Sequence, residues 1–218
     1  MDKKTLSSGQ SLVSMVAKND LSSAVFGVAE VALDRNLIEG VVKDLPIVGI
    51  LVNLAKAGQS ISEAMFIRKL ERFLVGMKEV PIVEREKLLA KYPDCSAEQR
   101  VLGENLLLAL ERLDDVEKPN ILARFFTAYM KSEIDHTTFT RLARALEKFN
   151  MELLPNLRWF YTRQQSEVET PEEVIHELSL AGLVLVQLSG SGTIGGSAGY
   201  RQSFLGKSFL HLGFGVQI

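Results

Sequence analysis

A single cysteine, Cys95, stands in a chain of 218 residues. It excludes an intramolecular disulfide and a disulfide-stapled scaffold, and it fits a reducing compartment. No charge or histidine cluster surrounds it, so it reads as an inert loop thiol after Pro93-Asp94. A basic excess is missing as well: 25 basic against 27 acidic side chains leave a net charge of −2. Residues 1–60 carry 0, residues 61–165 carry +1 and residues 166–218 carry −3. No segment has the cationic surplus with which nucleic-acid binders neutralise phosphates.

Long apolar runs are absent. The most apolar stretch, residues 24–57, is interrupted by seven charged side chains, and its longest uncharged run is residues 45–55. Eleven helical residues reach about 16 Å, roughly half of a bilayer core. Behind Met1-Asp-Lys-Lys no apolar core follows directly, so no secretory signal is expected. The expected address is the cytoplasm, with room for peripheral contact at the inner membrane. Histidine is scarce: His136, His176 and His211 are widely spaced and have no cysteine nearby. Each reads as a surface residue, and neither a metal nor another cofactor is expected. Glycine is missing between Gly103 and Gly182, whereas nine of the sixteen glycines crowd into the last 37 residues. This local skew marks a change of architecture.

What is present is a soluble-globular balance, 46% hydrophobic and 24% charged. Surface scaling lets about 70% of the extended-chain surface be buried, enough for one sizeable core or two modest ones. The six prolines stand at or just before helix-like patterns, where a missing N–H does least harm. After Pro46, positions Ile47, Leu51, Leu54, Gly58, Ile61 and Met65 step by four and three, a heptad-like apolar seam. The seam passes to Phe66, Leu70, Phe73 and Met77, which predicts a helix over 46–77. Ser22 or Ser23 is positioned to cap a shorter helix ahead of it.

Helices are also expected over 81–91 and over 96–113, where Ser96-Ala-Glu-Gln99 forms a capping box. Pro119 opens the next, with Leu122, Phe125, Phe126 and Tyr129 on one stripe. Asp135 or Thr137 caps another that buries Phe139, Leu142, Ala143, Leu146 and Phe149. Pro155 heads a short aromatic segment ending in Trp159-Phe-Tyr161. Residues 164–169 read as a linker. Thr170-Pro-Glu-Glu173 starts a helix that Gly182 ends. Leu183-Val-Leu-Val-Gln-Leu188 reads as a strand, residues 190–199 as a loop, residues 200–203 as a second strand and residues 204–212 as a last helix.

The expected fold is therefore mainly α, a multi-helix bundle followed by a small winged-helix-like module with a β-hairpin. Its expected divisions are apolar N-terminal helices over 1–45, the bundle over 46–165 and the module over 166–218.

Candidate motifs fail on context. Gly190-Ser-Gly192-Thr-Ile-Gly195 matches a dinucleotide-binding pattern, but no acid follows Glu177 and no βαβ unit is in place. Gly206-Lys207-Ser208 ends like a phosphate-binding loop, yet Arg201 occupies the position that needs a glycine. Asp114-Asp115 reads as a helix boundary rather than an acid–base pair. Arg141, Arg144 and Lys148 share a face with Glu147 interspersed, which reads as solvated surface.

Three patches together resemble known proteins. They are Pro46-Ile-Val-Gly49 leading to Ile67-Arg-Lys-Leu-Glu71, Glu111-Arg-Leu-Asp-Asp115 ahead of Leu122-Ala-Arg-Phe-Phe-Thr-Ala-Tyr129, and Leu180-Ala-Gly-Leu-Val184 followed by Tyr200-Arg-Gln-Ser-Phe-Leu-Gly206. Over about residues 40–215 the arrangement resembles an uncharacterised bacterial helix-rich family and the abortive-infection alpha family of phage-defence proteins. In the latter a small-residue apolar N-terminal segment and a helical middle precede a winged-helix-like end. Here Gln202-Ser203 stands where that family has Leu-Thr, and the wing is longer. The resemblance implies a non-enzymatic defence protein and carries over no active-site residue.

The seam at Ile47, Leu51, Leu54, Ile61 and Met65 is the candidate interface, for a second copy in a homo-oligomer, a protein partner or a membrane surface. It can also close its own bundle. The alternative function is a winged-helix regulator contacting nucleic acid through Arg201 and Lys207. The −3 charge of residues 166–218 opposes it.

Overall fold

Capping chemistry sets the helix ends where the sequence predicts them. Ser96 accepts a hydrogen bond from the Gln99 N–H at 3.0 Å, Asp135 from the Thr138 N–H at 2.7 Å and Ser203 from the Gly206 N–H at 2.8 Å. Gly182 and Gly215, with φ of +77° and +67°, close helices in the left-handed conformation that favours glycine. The computed structural model describes residues 8–18, 61–92, 96–162, 171–188 and 198–218. These are mainly helical, with one small two-stranded antiparallel sheet near the C-terminus. Backbone contacts divide the chain into two compact units, Met1–Glu133 and Ile134–Ile218.

The first unit contains α1 (Ser8–Lys18), α2 (Ile61–Lys78), α3 (Ile82–Lys91), α4 (Ala97–Arg112) and α5 (Lys118–Met130). α1 packs on α4 and α3, while α2 packs on α5 and, less extensively, on α4. The apolar side of α1 (Leu12, Val13, Met15 and Val16) is fully buried, as are Phe73 and Leu74 of α2 and Phe125 and Phe126 of α5. Phe73 and Phe126 lie 6.0 Å apart between ring centres. At Gly76, α2 comes so near α5 that a Cβ would lie 2.8 Å from the Ala123 Cβ.

Three helix C-termini of this unit are closed by cations from other helices, which supply the orphan carbonyls with charged donors. Arg85 of α3 donates to Val16 O at 2.8 Å, near the end of α1. Lys69 of α2 donates to Glu111 O at 2.9 Å, near the end of α4. Lys91 of α3 reaches Tyr129 O at 3.4 Å and Met130 O at 3.5 Å, at the end of α5.

The second unit contains α6 (His136–Lys148), a 3-10 turn (Met151–Leu153), α7 (Leu154–Thr162), α8 (Glu172–Leu180), β1 (Val184–Leu188), β2 (Ala198–Gln202) and α9 (Phe204–Phe214). The strands pair antiparallel from Val184↔Gln202 to Leu188↔Ala198. α9 packs on α6, with the Phe209 ring edge-on to Phe149 at 5.2 Å.

One phenol ties the unit together. The Tyr161 hydroxyl donates to Leu183 O and accepts from the Ser203 N–H at 2.8 Å. Ser203 Oγ donates to Leu183 O at 2.9 Å, and Gln202 Nε2 to Tyr161 O at 3.2 Å. Gly206 packs here because a Cβ would overlap both the Tyr161 hydroxyl and the Leu183 carbonyl.

The contact division at 133/134 falls well ahead of the compositional change near 165. Its physical reason is visible in these bonds: Tyr161 and Phe149, on the helical side of that change, are buried against the hairpin base and α9. The expected helix over 46–77 is described only from Ile61 onward. Its first part, the helix near Ser22, Cys95, the 164–169 linker and the glycine pattern at 190–195 lie outside the described residues.

Candidate interaction surface

α2 has two faces of opposite character. Ile67, Leu70, Phe73, Leu74 and Met77 point into the bundle, whereas Arg68 and Val75 are exposed and Arg72 is half-exposed. The 3.6-residue period puts positions 68, 72 and 75 on one stripe. The outward face borders an open concavity of about 610 Å³ lined by Arg68, Glu71, Arg72, Val75, Val116 and Asn120. Within it Arg72 pairs with the Glu117 carboxylate, which also accepts from Asn120 Nδ2 at 3.3 Å. Arg68 makes no hydrogen bond or ion pair among the described residues. The start of α5 adds the positive end of a helix dipole. The concavity therefore sets Arg68 and Arg72 beside the carboxylates of Glu71 and Glu117, around the exposed side chains of Val75 and Val116.

Near the start of α5 a buried lysine pairs with an exposed carboxylate. Lys118, 1% exposed, bonds to Asp114, whose own side chain is 72% exposed. Burial pushes the Asp114 carboxyl upward, but the hydrogen bond and charge of Lys118 outweigh it and leave the group below the usual carboxylate range. Burial lowers the Lys69 ammonium, against the pull of Asp114 and Glu111. Asp115 caps the Glu117 N–H at 2.6 Å. The adjacent acids thus serve the boundary of α5, as their placement predicts.

In the second unit, α8 buries Leu178 and presents Glu172, Glu173, His176, Glu177 and Leu180 outward. The hairpin leaves the core quickly: Val184 is buried, while Leu185, Val186 and Gln187 are exposed. Cross-strand partners share a face, so Leu185 and Arg201 lie on one side and Val186 and Tyr200 on the other. Phe204, at the first turn of α9, is 73% exposed, and Leu180 is 63% exposed.

Of the candidate interface residues, Ile47, Leu51 and Leu54 lie outside the described residues. Ile61 opens α2, with its side chain undescribed, and Met65 is half-buried. The continuation of the seam at Leu70, Phe73 and Met77 closes the bundle. Arg201 and Lys207 are both exposed, on β2 and α9. His136, His176 and His211 are exposed, as expected.

Two elements lie beyond the expected helices and sites: α1, whose signal is the apolar run Leu12-Val-Ser-Met-Val-Ala17, and the outward stripe on α2, legible as Arg68, Arg72 and Val75 at spacings of four and three. Among the described residues no cluster of His, Cys, Asp and Glu is arranged to hold a metal. None of their helices is long and apolar enough to cross a membrane. Comparison of the chain with protein-family models, curated proteins and solved structures finds no match.

Proposed function

We propose that this is a non-enzymatic bacterial protein of phage defence, of the abortive-infection kind, that works by association. Its N-terminal helical region meets a second copy, a protein partner or a membrane surface. The observation that carries the reading is the concavity on α2, where one helix closes the bundle with its inner face and presents Arg68, Arg72 and Val75 outward. The resemblance of the three sequence patches supplies the defence role. The apolar positions Leu51 and Leu54, ahead of α2, supply the adhesive side chains. Replacing both by aspartate is expected to lower the sedimentation coefficient or release the protein from membrane fractions, and to restore phage plating on cells that carry it. Unchanged sedimentation, fractionation and plating together overturn the reading.

The second reading is a winged-helix regulator. The order helix, strand, strand, helix over α8 to α9 favours it, with Arg201 exposed on the hairpin and Lys207 on the following helix. In a winged-helix module α8 would be the helix laid against the duplex, and its outward acids Glu172, Glu173 and Glu177 repel phosphate. A gel shift at low salt decides: tight binding lost on Arg201→Ala with Lys207→Ala would put this reading first.

A further inference from the structure

The exposed stripe of α2 reads Arg68, Glu71, Arg72, Val75, at offsets of three, four and seven residues. The exposed stripe of α8 reads Glu173, His176, Glu177, Leu180, at the same offsets. Each set lies along one helix face. In the structure Arg68, Val75, Glu173, His176, Glu177 and Leu180 are exposed, while Glu71 and Arg72 are half-exposed.

We propose that α2 of one copy docks side by side and parallel on α8 of a second copy. Arg68 then faces Glu173, Glu71 faces His176, Arg72 faces Glu177 and Val75 faces Leu180. All four positions are complementary: two cation–carboxylate pairs, an imidazole N–H against a carboxylate, and one aliphatic contact. Run antiparallel, the same stripes set Glu71 against Glu177 and Val75 against Glu173, so the charges also select the direction. Sliding α8 by one turn sets Arg72 against Ala181 in one direction and, in the other, puts Arg68 beyond the first residue of α8.

Arg72 retains donors for a second carboxylate while it holds Glu117, because a guanidinium offers five N–H groups. Exposed ion pairs are individually weak. Here two of them act beside an aliphatic contact along one helix face, so the contact does not rest on a single pair.

The contact uses residues other than the 47–65 seam and rests only on the self-association arm of the proposed function. Its test is sedimentation equilibrium of the full chain with three variants. The first is Arg68→Glu with Arg72→Glu, the second Glu173→Arg with Glu177→Arg, and the third Leu180→Glu, an exposed site that leaves the fold alone. Far-UV circular dichroism checks the helicity of each.

The wild type is expected to self-associate, with a dissociation constant at least about tenfold weaker in 500 mM than in 50 mM salt. Each charge-reversed variant alone is expected to be monomeric, as is Leu180→Glu. Mixed, the two charge-reversed variants restore the complementarity of α2 and α8 between unlike copies and form a mixed complex. A monomeric wild type, a charge-reversed variant that dimerises alone, or no complex on mixing overturns the proposal. If Leu51→Asp with Leu54→Asp abolishes association while the charge variants associate normally, the seam stands and this contact falls.

Discussion

Arg85 of α3 donates through its guanidinium to the carbonyl of Val16, a residue 69 positions earlier in the chain, at 2.8 Å. Its Nε also donates to Val80 O at 3.1 Å, and the side chain is 7% exposed. A charged donor buried on main-chain acceptors contributes more than a neutral one, and removing it strands carbonyls that water reaches poorly.

Arg85→Met is therefore expected to lower the stability of the first unit by about 2–3 kcal/mol. The loss should appear as a fall of roughly 5–10 °C in the thermal midpoint followed by far-UV circular dichroism. Arg85→Lys should lie between the two, because a single ammonium lacks the forked geometry that serves both carbonyls. A midpoint unchanged in Arg85→Met would show that the Val16 and Val80 carbonyls find other donors.

The second unit concentrates its connections at Tyr161. Gly206→Ala places a methyl group onto the Tyr161 hydroxyl and the Leu183 carbonyl. Such overpacking against main chain is expected to cost about 3 kcal/mol or more, while Tyr161→Phe alone should cost about 1–3 kcal/mol through lost hydrogen bonds. The double variant should be less destabilised than the sum, since removing the hydroxyl relieves part of the clash. Urea titrations of the three variants check this coupling, and strict additivity would contradict the packing described for Gly206.

Alkaline pH should weaken the fold through two phenols. Burial raises Tyr161 above the ordinary value, although its bonds to Ser203 work against the shift. Burial also raises Tyr129, with help from the hydroxyl of Tyr92. A phenol raised in the folded state holds its proton more tightly there than in the unfolded chain. The stability it contributes is complete below the unfolded value of about 10 and declines as pH climbs through the folded one. Thermal midpoints should therefore fall between pH 9.5 and 11.5, and Tyr129→Phe with Tyr161→Phe should flatten the fall. An equal slope in wild type and double variant would assign the alkaline loss to other groups.

The local part of this architecture was legible in the sequence. Ser96 and Asp135 cap helices because a short polar side chain can reach an N–H two or three residues on, a relation contained in a few consecutive letters, whereas Ser203, expected to end the second strand, caps α9 instead. Gly182 ends α8, and the hairpin strands announce themselves as a β-branched run and its partner. Long-range relations left no such trace. Lys69 meets Glu111 across 42 residues and Tyr161 meets Ser203 across 42, and no periodicity connects such positions. The division at 133/134 was hidden for the same reason, since composition changes near 165 while packing joins α6 and α7 to the hairpin and α9. At the interaction surface, Arg68, Glu71, Arg72 and Val75 were present in a readable pattern. That they face outward depends on α5 covering the other side of α2, which only the fold decides.

α3 is ten residues long, yet it supplies the terminal cation of two other helices: Arg85 to α1 and Lys91 to α5. Among the described residues of the first unit, α1, α3 and α5 are therefore tied together. A fragment that keeps α1 but omits residues 82–91, or that begins after them, carries a helix whose end has lost its charged closure. Ser132, just past α5, belongs to the same closure, since its hydroxyl accepts from Lys91 at 2.8 Å. Within α3, drift is also unevenly constrained. Val83 and Glu86 face solvent, whereas a change at 85 or 91 is felt at the far end of a different helix.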